Sequence, residues 1–209
     1  MELELILSFI GASMLLTFMP GPDNIFVLTE SITKGHKHGI AISLGLVSGV
    51  MVHTLAAATG LSIILKQSDY AFQIVKYLGA AYLLYLAYMA YKEKKPEVEI
   101  GGEVDNAEFN LWKLMRKGFF MNVLNPKVSL FFIAFLPQFI SKSGFNITLQ
   151  MFILGLIFMI QAILIFTLIS TLSGKFSSYL NSEKFWKYTK WGKVSVLVAL
   201  GVMLALSEK

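Results

Sequence analysis

Two short stretches hold most of the residues that could do chemistry at membrane depth. The first is Pro20-Gly21-Pro22-Asp23-Asn24, set between the apolar runs Leu3–Met19 and Ile25–Ile32. The prolines lack an N–H donor and glycine carries extra backbone entropy, so the helix must break there. In hydrocarbon a break survives only if it packs inside protein or lines a wet cavity. An aspartate at the break favours the cavity, because an ionisable group at that depth is costly to keep. Asp23 has two readings: an N-cap for the helix that follows, or a carboxylate that binds a cationic amine or a proton. Asn24 and the freed N–H groups of the half-helix can meet an anionic carboxylate at the positive end of the helix dipole. Together they suit a zwitterion.

The second stretch is Asn125-Pro126-Lys127, inside another apolar run. Asn125 and Pro126 read either as a simple proline kink or as the partner of the first break. Lys127 is too deep to snorkel easily outward, so it is expected to face Asp23 or a ligand carboxylate, with the headgroups on the basic side as the alternative. A third candidate is His53, on a face where Ala41, Gly45, Gly49, His53 and Ala57 recur every fourth residue. Small residues at that spacing let helices approach closely. His53 therefore points into protein, either as a satisfied core histidine or as a proton relay or ligand contact. Asn122 and Gln161 read as interhelical hydrogen-bonding groups, and the tyrosines at 82, 85, 88 and 91 as part of an aromatic belt.

Composition says what carries these residues. The 209 residues are 56% hydrophobic and 15% charged, with a mean hydropathy of +0.65. That places the chain in the membrane class. There is no cysteine, which excludes disulfides, thiol relays and thiolate-ligated metals. No metal site is expected, since His53 has no second histidine at ligating distance and His36 and His38 fall in a connection. No cofactor is implied.

Six apolar segments are predicted: Leu3–Ile32 (interrupted), Gly39–Leu65, Ala71–Tyr91, Phe119–Ile140, Leu149–Leu172 and Trp191–Leu206. All but the last approach the ~20 residues a spanning helix needs; the last is short and could lie at the interface. Lys34 and Lys37 follow the first segment, Lys92, Lys94, Lys95, Lys113, Arg116 and Lys117 the third, and Lys175, Lys184, Lys187, Lys190 and Lys193 the fifth. The opposite side has Lys66, Lys142 and Lys209. Positive-inside placement puts these three basic connections in the cytoplasm and both termini outside. It also accounts for the net charge of +5 without a nucleic-acid partner.

Residues 92–110 read as a solvated linker between a first three-helix unit, 1–91, and a second, 111–209. Three segments per unit would insert the halves in opposite directions, as inverted repeats. At ~1.5 Å per residue, Asp23 and Asn125 lie roughly 12–17 Å from the basic edges at Lys34 and Lys117, near the middle of a ~30 Å core. Paired breaks at one depth point to a transport site. The expected fold is therefore an all-α polytopic membrane protein with six transmembrane helices as two inverted three-helix repeats.

These stretches also resemble a known family. Pro-Gly-Pro-Asp-Asn at 20–24, the glycine run with His53 in 39–62, Gly79-Ala80-Ala81-Tyr82-Leu83-Leu84-Tyr85-Leu86, and Asn125-Pro126-Lys127 leading to Phe135-Leu136-Pro137-Gln138-Phe139 resemble the LysE/RhtB family of amino-acid exporters. The likeness runs in order along nearly the whole chain, except for the undistinctive lead into the last segment. It implies a bacterial inner-membrane protein that expels a small amino acid, neutral or homoserine/threonine-like, driven by protons. It also implies roles for Asp23, Asn125 and Pro126, which occupy the family's motif positions. The implied partners are an amino acid, protons and the bilayer, with room for a homo-oligomer. Two other classes stay open: a divalent-cation exporter, which would want more intramembrane carboxylates or thiols, and an intramembrane enzyme, which would need a nucleophile beside a base such as His53.

Overall fold

The computed structural model describes residues 2–19, 21–61, 69–93, 109–141, 144–174 and 182–206. Pro20 and residues 94–108, most of the expected linker, lie outside the described residues. In chain order the helices are α1 (Leu3–Phe18), α2 (Pro22–Lys34), α3 (His36–Ala56), α4 (Asp69–Lys92), α5 (Leu111–Val123), α6 (Pro126–Leu130), α7 (Ile147–Thr171) and α8 (Glu183–Leu206). A π-helical turn, Ala57–Leu61, extends α3, while a second, Phe131–Phe135, and a 3₁₀ turn, Leu136–Phe139, extend α6. No strand occurs among the described residues.

The helices α3, α4, α7 and α8 each contain a stretch long and apolar enough to cross a bilayer. The pairs α1/α2 and α5/α6 qualify only as bent units, with angles of 58° and 51° between their halves. The fold is thus all-α and polytopic, with four spans, or up to six if each bent pair is one. Large apolar side chains such as Leu44, Met51, Leu156, Leu164 and Met203 remain exposed on the outer surface. In a membrane chain that belt faces lipid.

The small-residue stripe sets the closest packing. A Cβ built at Gly45 would lie 2.0 Å from the Met115 carbonyl oxygen of α5, and one at Gly118 would lie 2.2 Å from the Ile42 carbonyl of α3. The two backbones touch, so these positions admit only glycine without displacement. Behind the second break, Phe9 of α1, Phe131, Phe132, Phe135 and Phe139 of the extended α6, and Phe158 of α7 form one cluster of tilted and edge-on rings. Such ring pairs stabilise by about 0.5–1.5 kcal/mol beyond area burial, and they fix the irregular backbone between α6 and Ile140. The α4 helix packs on α8 and reaches this turn where Gly79 meets Ala134.

Three sequence expectations need correction. The last helix begins at Glu183, not near Trp191, so Lys184, Lys187, Lys190 and Lys193 are helical. Likewise α5 starts at Leu111 with Asn110 as its cap, Oδ1 accepting from Lys113 N at 2.9 Å, so Lys113, Arg116 and Lys117 lie on a helix and not in a connection. Helical charges that extend to headgroup level are tolerated, so falling hydropathy does not mark a helix end. Finally, Asp23 is not the N-cap of α2; Gly21 is, and Asp23 sits in the first turn.

Candidate functional site

The first break begins with the end of α1. Met19 N still donates to Leu15 O at 3.0 Å, but a proline at 20 has no N–H for the carbonyl of Leu16, and the helix ends before 21 can serve Thr17. Two side chains take up the freed carbonyls. Lys127 Nζ donates to Leu16 O at 3.3 Å, and Asn24 Nδ2 donates to Thr17 O at 2.8 Å. The chain then runs extended through Gly21, at φ −156° and ψ 179°, and Pro22 opens α2. A Cβ on Gly21 would sit 3.3 Å from Lys127 Nζ.

The second break is capped by its own side chain. Asn125 Oδ1 accepts from Lys127 N at 3.0 Å, and Pro126 occupies the first turn of α6. That leaves the amide nitrogen of Asn125 facing away from its own helix. It donates to Asp23 Oδ2 at 2.6 Å, with both residues buried. The two breaks, far apart in the chain, thus meet in this hydrogen bond and in the one from Lys127 to Leu16 O.

Asp23 and Lys127 line the same small cavity with Leu16, Thr17, Asn122 and the apolar faces of α3 and α7. Its volume is about 20 Å³, near the room one water needs. The expected Asp23–Lys127 pair is not made: among the described residues the ion pairs are Glu30–Lys34 and Glu93–Lys193. On the other side of the breaks lies a larger cavity of about 440 Å³, bounded by Gly21, Pro22, Asn125, Pro126 and Lys127, by Glu93 just after α4 and by Lys193 of α8. Lys127 borders both spaces.

Two buried amides are held by Thr17. Its hydroxyl donates to Ser13 O at 2.8 Å, so it must accept from Gln161 Nε2 at 2.9 Å. That fixes the Gln161 amide orientation and leaves its Oε1 buried without a partner. Asn24 is fixed in the same way by the Thr17 carbonyl, and its Oδ1 is also buried and unpartnered. Asn122 Oδ1 is a third. Buried orphan acceptors are unusual, and they suit a donor-rich group such as an ammonium.

His53 stands apart. Its Nε2 lies 3.1 Å from the Asn122 carbonyl and its ring packs on Phe132. It does not line the cavity, although the residue it touches does. So Asp23, Asn125 and Lys127 are brought together with Gly21, Pro22 and Pro126 around them, Asn24 joins through Thr17, and His53 does not. Sequence reasoning missed Thr17, one of three hydroxyl residues in an apolar helix, and the Glu93–Lys193 pair, whose lysine was assigned to a loop.

The fold and site define a polytopic helical membrane protein with a polar centre buried where two helices break. Comparison with known proteins narrows this. The LysE type translocator family profile matches residues 12–208, and the chain belongs to that family. It is 29% identical over 97% of its length to a Bacillus subtilis (strain 168) protein named as an uncharacterized membrane protein, YrhP, covering 99% of that relative. It is 27% identical to the homoserine/homoserine lactone efflux protein of Salmonella typhimurium, with 98% of each chain covered. No solved structure matches.

Proposed function

We propose that this chain exports a small amino acid, neutral and homoserine- or threonine-like, across the bacterial inner membrane in exchange for protons. The efflux relatives and the family support amino-acid export. The observation that carries the site is the Asp23–Asn125 hydrogen bond, which joins both breaks beside a cavity large enough for such a solute. In this reading the substrate enters from the 440 Å³ side. Its ammonium displaces the Asn125 amide from Asp23 and its carboxylate is met by Lys127. A proton on Asp23 and an ammonium against it exclude each other, which is the elementary requirement of exchange. The basic ends of the helices lie in the cytoplasm with both termini outside, and the units 1–91 and 111–209 act as inverted repeats about the linker 92–110.

The test uses inside-out vesicles containing the native chain or Asp23→Asn. With an imposed pH gradient, the native chain accumulates labelled homoserine or threonine. Asp23→Asn loses gradient-driven accumulation. Equal accumulation by the two chains removes Asp23 from proton coupling, and no transport of any amino acid tested refutes export itself.

A further inference from the structure

A separate cavity of about 470 Å³ opens between the end of α2 and the start of α5. Lys34, His38, Lys113, Arg116 and Lys117 line it, with Glu30 as the acid among them. Glu30 is already paired with Lys34 at 3.3 Å. Lys113, Arg116 and Lys117, three and four residues apart, share one face of α5, and none has a carboxylate partner among the described residues. Lys117 Nζ is held 4.0 Å over the Phe26 ring. His38 Nδ1 is buried without a hydrogen-bond partner.

Next to this cationic cradle runs a more apolar trough of about 310 Å³, lined by Ser48, Trp112, Met115 and Phe119. Arg116 and Phe120 border both spaces. Trp112 is 73% exposed and Phe120 53% exposed, so the trough opens on the side that meets lipid. Aromatic side chains of this kind sit at headgroup level, and basic recesses between helices hold acidic headgroups. A soluble anion would use the cradle alone. Only a lipid would use both.

We propose that the cradle and trough bind one anionic glycerophospholipid of the surrounding leaflet, its phosphate against Lys113, Arg116 and Lys117 and the start of an acyl chain along Trp112 and Phe120. The site is independent of the transport centre. The test is native mass spectrometry of the full chain released from nanodiscs of phosphatidylcholine with a minor fraction of phosphatidylglycerol. The native chain retains phosphatidylglycerol well above its mole fraction. Lys113→Gln/Arg116→Gln/Lys117→Gln retains at least about fivefold less, the share of a single interfacial cation, while Lys184→Gln/Lys187→Gln on α8 retains as much as the native chain. If the triple variant does not fold, Arg116→Gln alone is read in its place. Equal retention by the triple variant and the native chain overturns the proposal. Equal loss in the α8 control shows general charge attraction and also overturns it. Displacement of the lipid by soluble glycerol phosphate overturns it in favour of a free phosphate ester.

Discussion

The contact between the breaks can be weighed by a double-mutant cycle at Asp23 and Asn125. Asn125 Nδ2 donates at 2.6 Å to a buried carboxylate, and a hydrogen bond to a charged group contributes about 1.5–3 kcal/mol. Asn125→Ala also removes the cap on Lys127 N, about 1 kcal/mol more. The single substitution should therefore cost about 2.5–4 kcal/mol. Asp23→Ala strands the Asn125 amide and costs about 1–3 kcal/mol. The double variant loses the shared bond once, so the coupling energy should be about 1.5–3 kcal/mol.

The assay is thermal unfolding of detergent-purified protein. A domain of this size shifts by roughly 2–4 °C per kcal/mol, which puts Asn125→Ala roughly 5–16 °C below the native chain. The exchanged pair Asp23→Asn/Asn125→Asp rebuilds a carboxylate–amide bond with its direction reversed. It should regain most of the stability while gradient-driven transport stays lost, because the carboxylate has moved to the other helix. Additivity of the two alanine variants within ~0.5 kcal/mol would show that this bond does not join the breaks, and the site would lose its centre.

Other perturbations test the frame around it. Gly45→Leu forces a side chain into the Met115 backbone and should cost about 3 kcal/mol or more by melting temperature, whereas Gly11→Ala, with nothing within 4 Å of its Cβ, should be neutral or stabilise by up to ~1 kcal/mol; equal effects would contradict the close α3–α5 contact. Gln161→Leu removes the unpartnered Oε1 at a stability cost of about 1 kcal/mol. It should raise the half-saturation concentration for an amine-bearing substrate about tenfold, and an unchanged value in vesicle uptake takes Gln161 out of the site. The absence of native cysteine gives labelling a clean background. Single cysteines at Lys34, Lys117 and Lys187 should all react with an impermeant maleimide from the cytoplasmic side, and reaction of any one from outside breaks the proposed topology. Glu93→Lys with Lys193→Glu should restore whatever transport rate either single change removes, since the pair borders the larger cavity.

The breaks were legible because hydrocarbon makes them expensive: proline and glycine beside an aspartate have no cheap explanation at that depth. Their meeting was legible only as equal depth, and their chemistry was not. Whether Asp23 faces Asn125 or Lys127 depends on which acceptor the Lys127 ammonium can reach, and Leu16 O became available only because residue 20 is a proline. Thr17 gave no signal, since a hydroxyl bonded to the carbonyl four residues back is ordinary in an apolar helix. The stripe through Gly45 and Gly49 announced a close approach, but nothing in it named α5 as the partner. The π-helical turn Phe131–Phe135 was silent because all five residues are apolar and fit any helix.

The choice of an amide over an ammonium as the partner of Asp23 has an energetic consequence. A buried Asp23–Lys127 ion pair would resist a zwitterion, because separating paired buried charges costs about 3–5 kcal/mol before any new contact forms. Here each charge rests on a neutral group, Asp23 on the Asn125 amide and Lys127 on the Leu16 carbonyl. Exchanging such partners for the opposite charges of an amino acid gives up bonds of about 1.5–3 kcal/mol each, and the ligand replaces both with charge-assisted ones. In the proposed mechanism the displaced amide and carbonyl belong to the two breaks, so binding releases both side-chain bonds that tie one bent pair to the other. Ligand occupancy and separation of the breaks are then one event, and an Asn125→Leu chain that binds substrate yet moves it at the native rate would disprove that link.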